Sequence, residues 1–560
     1  MDPKLKHRAA ARRLAGALLA LSATVGAQGE PCGGNGGAAA TTATPGALGA
    51  PFTLGLQGLP GAAYLLAMSD ASATVPAPPY GVVCLDTASA FFAPVLLGTF
   101  GASGGFPLAF TPPVDPFWDA VTIFAQLAVD DVAAPGGIAL SALRRVDFAP
   151  PDGFEAAGTA AVGASHTRPG FASGVRLHDG RVLIAAGHAQ PFTAGAPSGI
   201  EVHPWRPAFR AFGAPASLPN VGAFHGATTL LDGRVLYSGG VVRLIPGTGP
   251  ATSGSASSAS RLYDPAAATP VAAGPAIPMT APRFGHATTL LADGRALAIG
   301  GSGVLSAVAF EAAAPFARTD AETFDPATNQ WTPVAGALNV QRIFATATRL
   351  LDGRVLVVGG VCGAAPIAAG GFGVFGPPVA ELFDPATEQF SVVAGPTADG
   401  LAGHRATLLP DGRVWVTGGA VLATTQLAAS AHPAATASTW LFDPATSAWA
   451  AGPALPAPAC FHAATALPDG RVHVSGGAAL LDLDATGANP APGANLCALF
   501  DGAALTPAAP LPIGSAGASG HAAVALDDGS LLIGAGVAWS QGPATGAAPA
   551  FSVDRYVPAP

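Results

Sequence analysis

A pattern of alternating apolar residues around an Asp-Gly step recurs along most of this chain. Each copy has an apolar run, the Asp-Gly step, a second apolar run and a pair of small residues. The seven copies are LHDGRVLIAAG, LLDGRVLYSGG, LADGRALAIGG, LLDGRVLVVGG, LPDGRVWVTGG, LPDGRVHVSGG and LDDGSLLIGAG. Asp-Gly between alternating apolar residues is a strong hairpin signal, because both residues tolerate the positive φ of a two-residue type I′ turn. Each copy therefore predicts a β-hairpin with such a turn.

The hairpins belong to longer units of nearly constant length. The turn aspartates lie 53, 61, 59, 59, 58 and 59 residues apart, and they are Asp179, Asp232, Asp293, Asp352, Asp411, Asp469 and Asp528. About thirty residues later a second hairpin signal follows, as at Phe324-Asp325-Pro326, and in three units it leads to Trp331, Phe390 or Trp449. Each unit therefore predicts four antiparallel strands.

Seven such sheets can bury their apolar faces by stacking in a closed ring. A single four-stranded sheet cannot bury its face alone, and closure also protects the strand edges. The segment 553–558 is predicted to be the third strand of the last unit, and Asp147 to Gly158 reads like the hairpin that supplies its fourth strand. Phe154 would then stand where other units place Trp331 or Trp449. The predicted fold is all-β, with a seven-bladed β-propeller over residues 149–560.

The repeated unit resembles a known family of propellers. The pattern R-x-x-H-x-x-x-x-L-x-D-G-R-V-x-x-x-G-G, followed by F-D-P-A-T-x-x-W, is clearest from Arg283 to Gly301 with Phe324 to Trp331. It resembles the kelch repeat of galactose-oxidase-like propellers over roughly residues 150 to 560. The resemblance implies the fold but not the activity, because this family includes copper oxidases, glycan binders and protein-interaction scaffolds.

The residues before the propeller predict a small β-rich module over 51–148, after a flexible lead over 28–50. Short apolar segments recur there between turn residues, which is typical of a small β-sandwich. The predicted strands are Phe52 to Leu56, Tyr64 to Ala67, Val82 to Leu85, Phe91 to Leu97, Ala120 to Val129 and Ile138 to Phe148. A helix from Trp118 to Leu127 is a competing interpretation.

The first 27 residues predict a secretory signal peptide. Five cationic residues precede the apolar stretch Leu14 to Ala27, which ends in a small-residue cleavage site. Fourteen residues are too few to span a bilayer, which needs about 20, and no other segment reaches that length without Gly, Pro or a charge. The sequence therefore predicts a secreted protein, extracellular or periplasmic, without a membrane span.

The charge of the chain excludes some partners and one mechanism. The net charge is -9, and removing residues 1–27 leaves 20 basic against 33 acidic residues, or -13. A nucleic-acid partner is therefore not expected. Both lysines, Lys4 and Lys6, lie in the predicted signal peptide, so the mature chain cannot form a lysine Schiff base. We expect a monomer.

Five cysteines lie beyond the predicted cleavage site. An oxidising compartment makes disulfides plausible. Proximity in the sequence predicts bridges between Cys32 and Cys84 and between Cys460 and Cys497, with Cys362 left over. No C-x-x-C pair is present, so the sequence offers no cysteine framework for structural zinc.

Histidines recur seven residues before the turn aspartates, at the predicted start of the innermost strands. They are His225, His286, His404, His462 and His521, while the first and fourth units have Ala172 and Ala345. One interpretation is a metal or anion ring around the axis. The other, favoured by the repetition, is that the histidines and the turn aspartates Asp232, Asp293, Asp352, Asp411 and Asp469 are structural.

The resemblance also raises the copper chemistry of galactose-oxidase-like enzymes. They hold one copper through two His and two Tyr, with one Tyr cross-linked to a Cys. The mature tyrosines here are Tyr64, Tyr80, Tyr237, Tyr263 and Tyr556, and none is followed by the His of the family's Tyr-His pair. We therefore predict no cofactor and no catalytic residues.

The loops between the second and third strands predict where a ligand would bind. They are long, about nineteen residues each, and share one face. Scattered in them are the candidate binding residues Arg243, Arg318 and His432. The favoured function is non-catalytic binding of a glycan or protein through this face. Alternatives are a divergent copper-dependent carbohydrate or alcohol oxidase and a structural component of an extracellular assembly.

Overall fold

The computed structural model describes most of the repeated region and part of the segment before it. The described residues are 40–43, 46–47, 52–69, 72–77, 81–85, 93–110, 122–131, 138–141, 144–149, 153–161, 173–178, 180–186, 199–206, 211–222, 224–246, 252–267, 271, 275–306, 317–366, 372–425, 433–479, 496–511, 518–534, 537–538 and 550–558. Over these ranges the protein is all-β and contains no helix, and thus none that could cross a membrane. The predicted signal peptide lies outside them.

The leading strands form small antiparallel sheets with one shared core. They are β1 (Ala40–Ala43), β2 (Gly46–Ala47), β3 (Phe52–Gln57), β4 (Ala63–Ser69), β5 (Ser72–Ala77), β6 (Gly81–Leu85), β7 (Ala93–Thr99), β8 (Gly105–Phe110), β9 (Thr122–Asp130), β10 (Ile138–Leu140) and β11 (Arg144–Ala149). One sheet has the order β1-β3-β8 and another β2-β11-β9-β4-β7, where β2 pairs parallel to β11. Leu54 on the first and Leu66 and Leu127 on the second pack together with Phe100.

Two details differ from the sequence-based expectations for this segment. The helix considered for Trp118 to Leu127 is wrong where the structure describes it, because β9 begins at Thr122 and runs as a strand to Asp130. Alternate residues Ala125, Leu127 and Val129 enter the core, which is the period of a strand. The segment predicted as one strand from Ile138 to Phe148 is divided between β10 and β11.

The remaining strands repeat one arrangement. They are β12 (Gly153–Ala161), β13 (Ser173–Arg176), β14 (Val182–Ala186), β15 (Gly199–Arg206), β16 (Ala211–Phe212), β17 (Ala216–Pro219), β18 (Gly226–Thr229), β19 (Val235–Ser238), β20 (Val241–Pro246), β21 (Thr252–Ala256), β22 (Ala259–Tyr263), β23 (Ile277–Pro278), β24 (Ala287–Leu290), β25 (Ala296–Ile299), β26 (Val304–Ser306), β27 (Ala321–Asp325), β28 (Gln330–Pro333), β29 (Thr346–Arg349), β30 (Val355–Val358), β31 (Gly363–Pro366), β32 (Phe372–Phe375), β33 (Val379–Asp384), β34 (Gln389–Ala394), β35 (Gly400–Ala402), β36 (Arg405–Leu408), β37 (Val414–Thr417), β38 (Ala420–Leu422), β39 (Thr439–Asp443), β40 (Ala448–Ala451), β41 (Ala463–Ala466), β42 (Val472–Ser475), β43 (Cys497–Phe500), β44 (Leu505–Pro507), β45 (Ala518–Ser519), β46 (Ala522–Ala525), β47 (Leu531–Gly534), β48 (Val537–Ala538) and β49 (Ala550–Val557).

Among the described strands, one antiparallel order occurs once for each repeat. Numbered by repeat, sheets 1 to 7 are β13-β14-β15-β16, β18-β19-β22-β23, β24-β25-β27-β28, β29-β30-β33-β34, β36-β37-β39-β40, β41-β42-β43-β44 and β46-β47-β49-β12. The first strand of each sheet contacts the first strand of the next, and β46 of sheet 7 contacts β13 of sheet 1. The first strands therefore form a cycle.

Sheet 7 combines the two ends of the repeated region. Its outer strand β12 precedes the first repeat and pairs antiparallel with β49 near the end of the chain. Phe154 lies opposite Tyr556, the same register in which Trp331 lies opposite Phe324. This is the strand exchange that the sequence predicts. The predicted hairpin from Asp147 to Gly158 is wrong, because β11, which contains Asp147, pairs with β2 and β9 and not with β12.

The Asp-Gly turns are not the predicted two-residue type I′ turns. In sheet 2 the Leu230 amide donates to the Arg234 carbonyl (2.8 Å) and the Gly233 amide to the Leu230 carbonyl (3.1 Å), which makes a three-residue loop. Gly233 has a φ of +86°, whereas Asp232 has no positive φ. The Asp232 carboxylate accepts the Arg234 amide (3.0 Å), an Asx arrangement that holds the aspartate in the ordinary region.

One predicted disulfide is wrong. Cys460 and Cys497 are both buried but are not bonded to each other. Cys460 packs in an apolar layer that spans several sheets, while the Cys497 thiol lies 3.2 Å from Nε2 of His473. Cys32 lies outside the described residues, so its predicted bridge to Cys84 stays a prediction. Cys362 is partly exposed, and burial raises the pKa of its thiol to about 11.

Candidate functional site

An alternation of Phe and Gly marks the point where the chain enters each inner strand. In sheets 2 to 7 the residues eight positions before the turn aspartate are Phe224, Gly285, Phe344, Gly403, Phe461 and Gly520. All six have a left-handed φ between +54° and +65°. This is unusual for Phe, because the side chain then crowds the backbone at a cost of about 1–2 kcal/mol. Such strain tends to persist where the surrounding structure requires it.

The left-handed backbone links neighbouring sheets. Gly285 donates its amide to the Phe224 carbonyl (3.0 Å), and Phe344 donates to the Gly285 carbonyl (2.7 Å). The rings of Phe224 and Phe344 meet edge to face, with centroids 5.2 Å apart. A Cβ on Gly285 would lie 2.8 Å from the Phe344 ring. Glycine at position 285 therefore leaves room for the Phe344 ring.

The five repeated histidines bind hydroxyl groups of the preceding sheet through Nε2. The pairs are His225 with Ser173 (2.8 Å), His286 with Ser238 (3.0 Å), His404 with Thr346 (2.9 Å), His462 with Thr417 (2.7 Å) and His521 with Ser475 (3.0 Å). Each hydrogen bond crosses from one sheet to the next. The histidines therefore join the sheets at the end of the ring where the long loops begin.

Four of these histidines, His225, His286, His404 and His462, are neutral at physiological pH. Burial lowers the pKa of His225 to about 4, and burial together with the nearby Arg283 lowers the pKa of His286 to about 3. Burial and the Arg405 charge lower the pKa of His404 to about 3. Nδ1 of His225 lies 3.0 Å from the Gly222 carbonyl, so Nδ1 carries the proton and Nε2 accepts from Ser173.

The presence of each histidine follows the presence of its partner. Ser238, Thr417 and Ser475 end the second strands of sheets 2, 5 and 6, and the sheets that follow carry His286, His462 and His521. Sheet 4 ends that strand with Val358, and there Thr346 on the first strand supplies the hydroxyl for His404. Sheet 3 has Ala287 and Ile299 at these two positions, and the next unit has Ala345 in place of histidine. The internal repeats thus contained a signal for this pairing.

Removing one partner hydroxyl is expected to cost stability. In Thr417→Val the His462 imidazole would lose the 2.7 Å hydrogen bond of its buried Nε2. A buried polar group left unpaired costs about 1–3 kcal/mol. Urea denaturation should show a loss of this size in the free energy of unfolding of Thr417→Val. The control Thr348→Val, at a partly exposed strand position, should lose less than about 0.5 kcal/mol. Equal losses in the two variants would contradict the assigned role.

The turn aspartates lie at the opposite end of the inner strands and anchor arginines. Oδ2 of Asp232 accepts from Nε of Arg234 at 2.8 Å, and Asp293, Asp352, Asp411 and Asp469 do the same with the arginine two residues later. Burial alone would raise the pKa of Asp232, but the hydrogen bonds from Arg234 outweigh it and the pKa is lowered.

These arginines also link neighbouring sheets, which the sequence analysis did not predict. Arg234 in sheet 2 donates to the Pro326 carbonyl of sheet 3 (2.7 Å), and Arg354 in sheet 4 donates to the Pro444 carbonyl of sheet 5 (3.0 Å). The sequence signal for these contacts was the arginine that recurs directly after Asp-Gly. Where Ser530 replaces it, Arg555 reaches the turn carboxylate of Asp528 instead (2.7 Å).

A cavity lies among the starts of the inner strands. It has a volume of about 200 Å³ and is partly open. Its walls include the rings of Phe224, Phe344 and Phe461, the imidazoles of His225, His286 and His404, and one charged side chain, Arg405. Nε of Arg405 donates to the backbone carbonyl of His462 in the next sheet (2.7 Å). The site can therefore offer a cation beside aromatic surface.

Solved structures resemble this architecture. A fungal alcohol oxidase of the AA5 family, solved in complex with copper, matches with a TM-score of 0.51 and 15% identity over 72% of this chain and 76% of the oxidase. This similarity supports a galactose-oxidase-like propeller fold. The protein YjhT matches with a TM-score of 0.40 and 17% identity over 60% of this chain and 94% of that one. No protein-family model and no curated protein matches the sequence.

The donor chemistry of the propeller does not fit a copper centre in the part of the chain that is described. No three His, Cys, Asp or Glu side chains converge there. Tyr237 and Tyr263 pack in an apolar core, and the imidazole nearest to Tyr237, His225, uses both nitrogens in hydrogen bonds. Arg405 beside His404 would repel a cation.

The structure describes the predicted binding residues only in part. Arg243 lies on β20, opposite Ser255 of β21, on the face of the long loops. Arg318 is engaged by Asp320, with Nε 2.7 Å from Oδ1. His432 lies outside the described residues. Parts of the long loops add strands to the propeller, such as β20-β21-β26, which bridges the loops of sheets 2 and 3.

Proposed function

We propose that this protein is an exported, non-catalytic, seven-bladed propeller that binds a glycan or a protein on the face formed by its long loops. Seven sequence repeats and the cyclic contacts of seven first strands support the blade number. Export rests on the predicted signal peptide. The protein is proposed to act as a monomer.

The observation that carries the non-catalytic assignment is the use of the inner-strand histidines. All five bind Ser or Thr hydroxyls across sheet boundaries through Nε2, so these nitrogens are engaged within the propeller. The long loops, in contrast, build additional strands at the same end, as β20-β21-β26 does. A surface of loops on a rigid scaffold is typical of a recognition site.

Copper analysis separates this proposal from the oxidase that the structural similarity suggests. After incubation with Cu²⁺ and removal of unbound metal, we expect well under one equivalent of copper and no peroxide release from alcohols or sugars. The measurements are elemental analysis and a peroxide assay on the full chain. Stoichiometric copper with substrate-dependent peroxide would overturn the proposal in favour of a divergent oxidase.

The binding face can be tested with paired arginine variants. A glycan array and a pull-down of extracellular proteins would be used to find a ligand for the wild type. Arg243→Ala, on the long-loop face, is then expected to weaken binding, and Arg349→Ala, exposed at the opposite end of β29, to leave it unchanged. Equal effects of the two variants would contradict the placement of the site. Recovery only in an insoluble envelope fraction, with no ligand found, would favour the structural alternative.

A further inference from the structure

We propose that the axial cavity binds a small monocarboxylate with an apolar or aromatic body, held by Arg405. This site is separate from the proposed macromolecular face and goes beyond it. Arg405 follows the inner-strand histidine of sheet 5. The other units have small residues at that position: Ser173, Gly226, Ala287, Thr346, Ala463 and Ala522. A single cation has thus replaced a small side chain in an otherwise repetitive ring.

The guanidinium of Arg405 is held in place but not neutralised. Its Nε donates to the His462 carbonyl at 2.7 Å, which fixes the plane of the group. Among the described residues, no carboxylate lines the cavity or forms an ion pair with Arg405. Burial lowers the pKa of Arg405, but a guanidinium remains charged in proteins. A cation in such surroundings gains free energy when an anion pairs with it.

The geometry favours a carboxylate over a spherical anion. With Nε occupied, the two terminal nitrogens of Arg405 make no hydrogen bond to described residues, and the residue lines the cavity. Parallel N–H donors match the two oxygens of a carboxylate. The histidines that line the cavity are neutral, so the lining carries one positive charge. One charge suits a monoanion.

The remaining walls select the body of the ligand. Phe224, Phe344 and Phe461 place three aromatic rings around the cavity. Ser173 and Thr346 also line it, but their hydroxyls are already bound to His225 and His404. An apolar cavity of about 150 Å³ can hold benzene, so about 200 Å³ has room for a ring of that size with a carboxylate. The left-handed backbone at the three phenylalanines holds their rings at this point.

Calorimetry of the full chain with benzoate and benzamide tests the site. The two probes have the same shape and differ in charge. We expect benzoate to bind the wild type and benzamide to bind at least tenfold more weakly. Arg405→Gln should weaken benzoate binding about tenfold to hundredfold, because a charge-assisted hydrogen-bonded pair is lost. The affinity of Arg405→Lys for benzoate should lie between those of the wild type and Arg405→Gln, because lysine keeps the charge but lacks the planar guanidinium.

Control variants separate loss of the site from loss of the fold. Arg349→Gln removes an exposed cation outside the cavity and should bind benzoate as the wild type does. Phe344→Leu should weaken binding of benzoate more than that of acetate, because it removes aromatic surface and leaves Arg405. Each variant is compared only if its melting temperature stays near that of the wild type. The proposal would be overturned if benzoate and benzamide bound equally well, if Arg405→Gln kept the wild-type affinity for benzoate, or if chloride bound as well as benzoate. None of these results would bear on the proposed binding face of the long loops.

Discussion

Lowering the pH from 7.5 to 5 is expected to reduce the free energy of unfolding by about 2 kcal/mol for each buried neutral histidine. Burial is the first cause of the lowered pKa at His225, His286, His404, His462 and His473. For the four histidines whose folded pKa lies near 3 or 4, which are His225, His286, His404 and His473, the combined effect is about 8 kcal/mol, comparable to the whole stability of many domains. The protein should therefore unfold at mildly acidic pH.

The sign follows from proton binding. Unfolded histidines titrate near pH 6.5, whereas His225 and His286 in the folded protein titrate near 4 and 3. Between these values the unfolded chain binds more protons, so stability is complete above about pH 6.5 and is lost as the pH falls toward 4. Carboxylates such as Asp232, whose pKa is lowered from 3.8, lose their contribution to the free energy of unfolding only at more acidic pH.

Urea denaturation at pH 7.5, 6.5, 5.5 and 5 would measure this effect. His404→Gln removes one titrating group and should reduce the slope of stability against pH by up to about 1.4 kcal/mol per pH unit. Thr348→Val, at a partly exposed strand position without a titrating group, serves as the control and should leave the slope unchanged. A constant free energy of unfolding between pH 7.5 and 5 would contradict the neutral, buried ring.

Breaking a buried ion pair in sheet 4 is expected to have the second large effect. Arg342 and Glu381 are almost completely inaccessible, and Nη2 lies 2.9 Å from Oε1. The Glu381 carboxylate also accepts the amide and side chain of Asn339 (2.7 and 3.0 Å). Glu381→Ala leaves a buried guanidinium without its anion, which costs about 3–5 kcal/mol. The midpoint of urea denaturation should fall accordingly.

The repeats themselves provide the control for this experiment. The corresponding positions in sheet 5 are Leu401 and Trp440, and Leu401 is buried without any charge. The double variant Arg342→Met, Glu381→Leu should therefore recover most of the lost stability, because replacing both partners by apolar groups of similar volume leaves no unpaired charge. A double variant as unstable as Glu381→Ala would show that packing, not the unpaired charge, causes the loss.

Local sequence patterns predicted the strands better than the turns. Alternating apolar runs placed the hairpins correctly because side-chain period follows directly from the backbone. The turn type was wrong because the Asp232 carboxylate binds the Arg234 amide, an interaction that the Asp-Gly pair alone does not reveal. The bridge between Cys460 and Cys497 was wrong because closeness in the sequence does not decide which side of a strand each thiol occupies.

The candidate cavity was only partly visible in the sequence. The histidine positions were recognised as a ring at the starts of the inner strands, whereas Arg405 and the Phe-Gly alternation were not singled out. Both had a signal, because Arg405 is a lone cation at its repeat position among the described units and Phe224, Phe344 and Phe461 alternate with glycines. The sequence analysis chose Arg243 and Arg318 instead, which lie in the long loops. The spacing of residues in these loops does not show which groups their side chains contact.

The sequence by itself determined the repeated antiparallel hairpins and the pairing of β12 with β49, because strand period and apolar burial are encoded locally in every copy. Only the tertiary structure decided which side chains meet at the axis. The starts of the inner strands are dozens of residues apart in the chain, and they come within reach of one another only when the sheets pack side by side. That packing makes His404 a neutral link between sheets and leaves the guanidinium of Arg405 at the cavity without a carboxylate from the described residues.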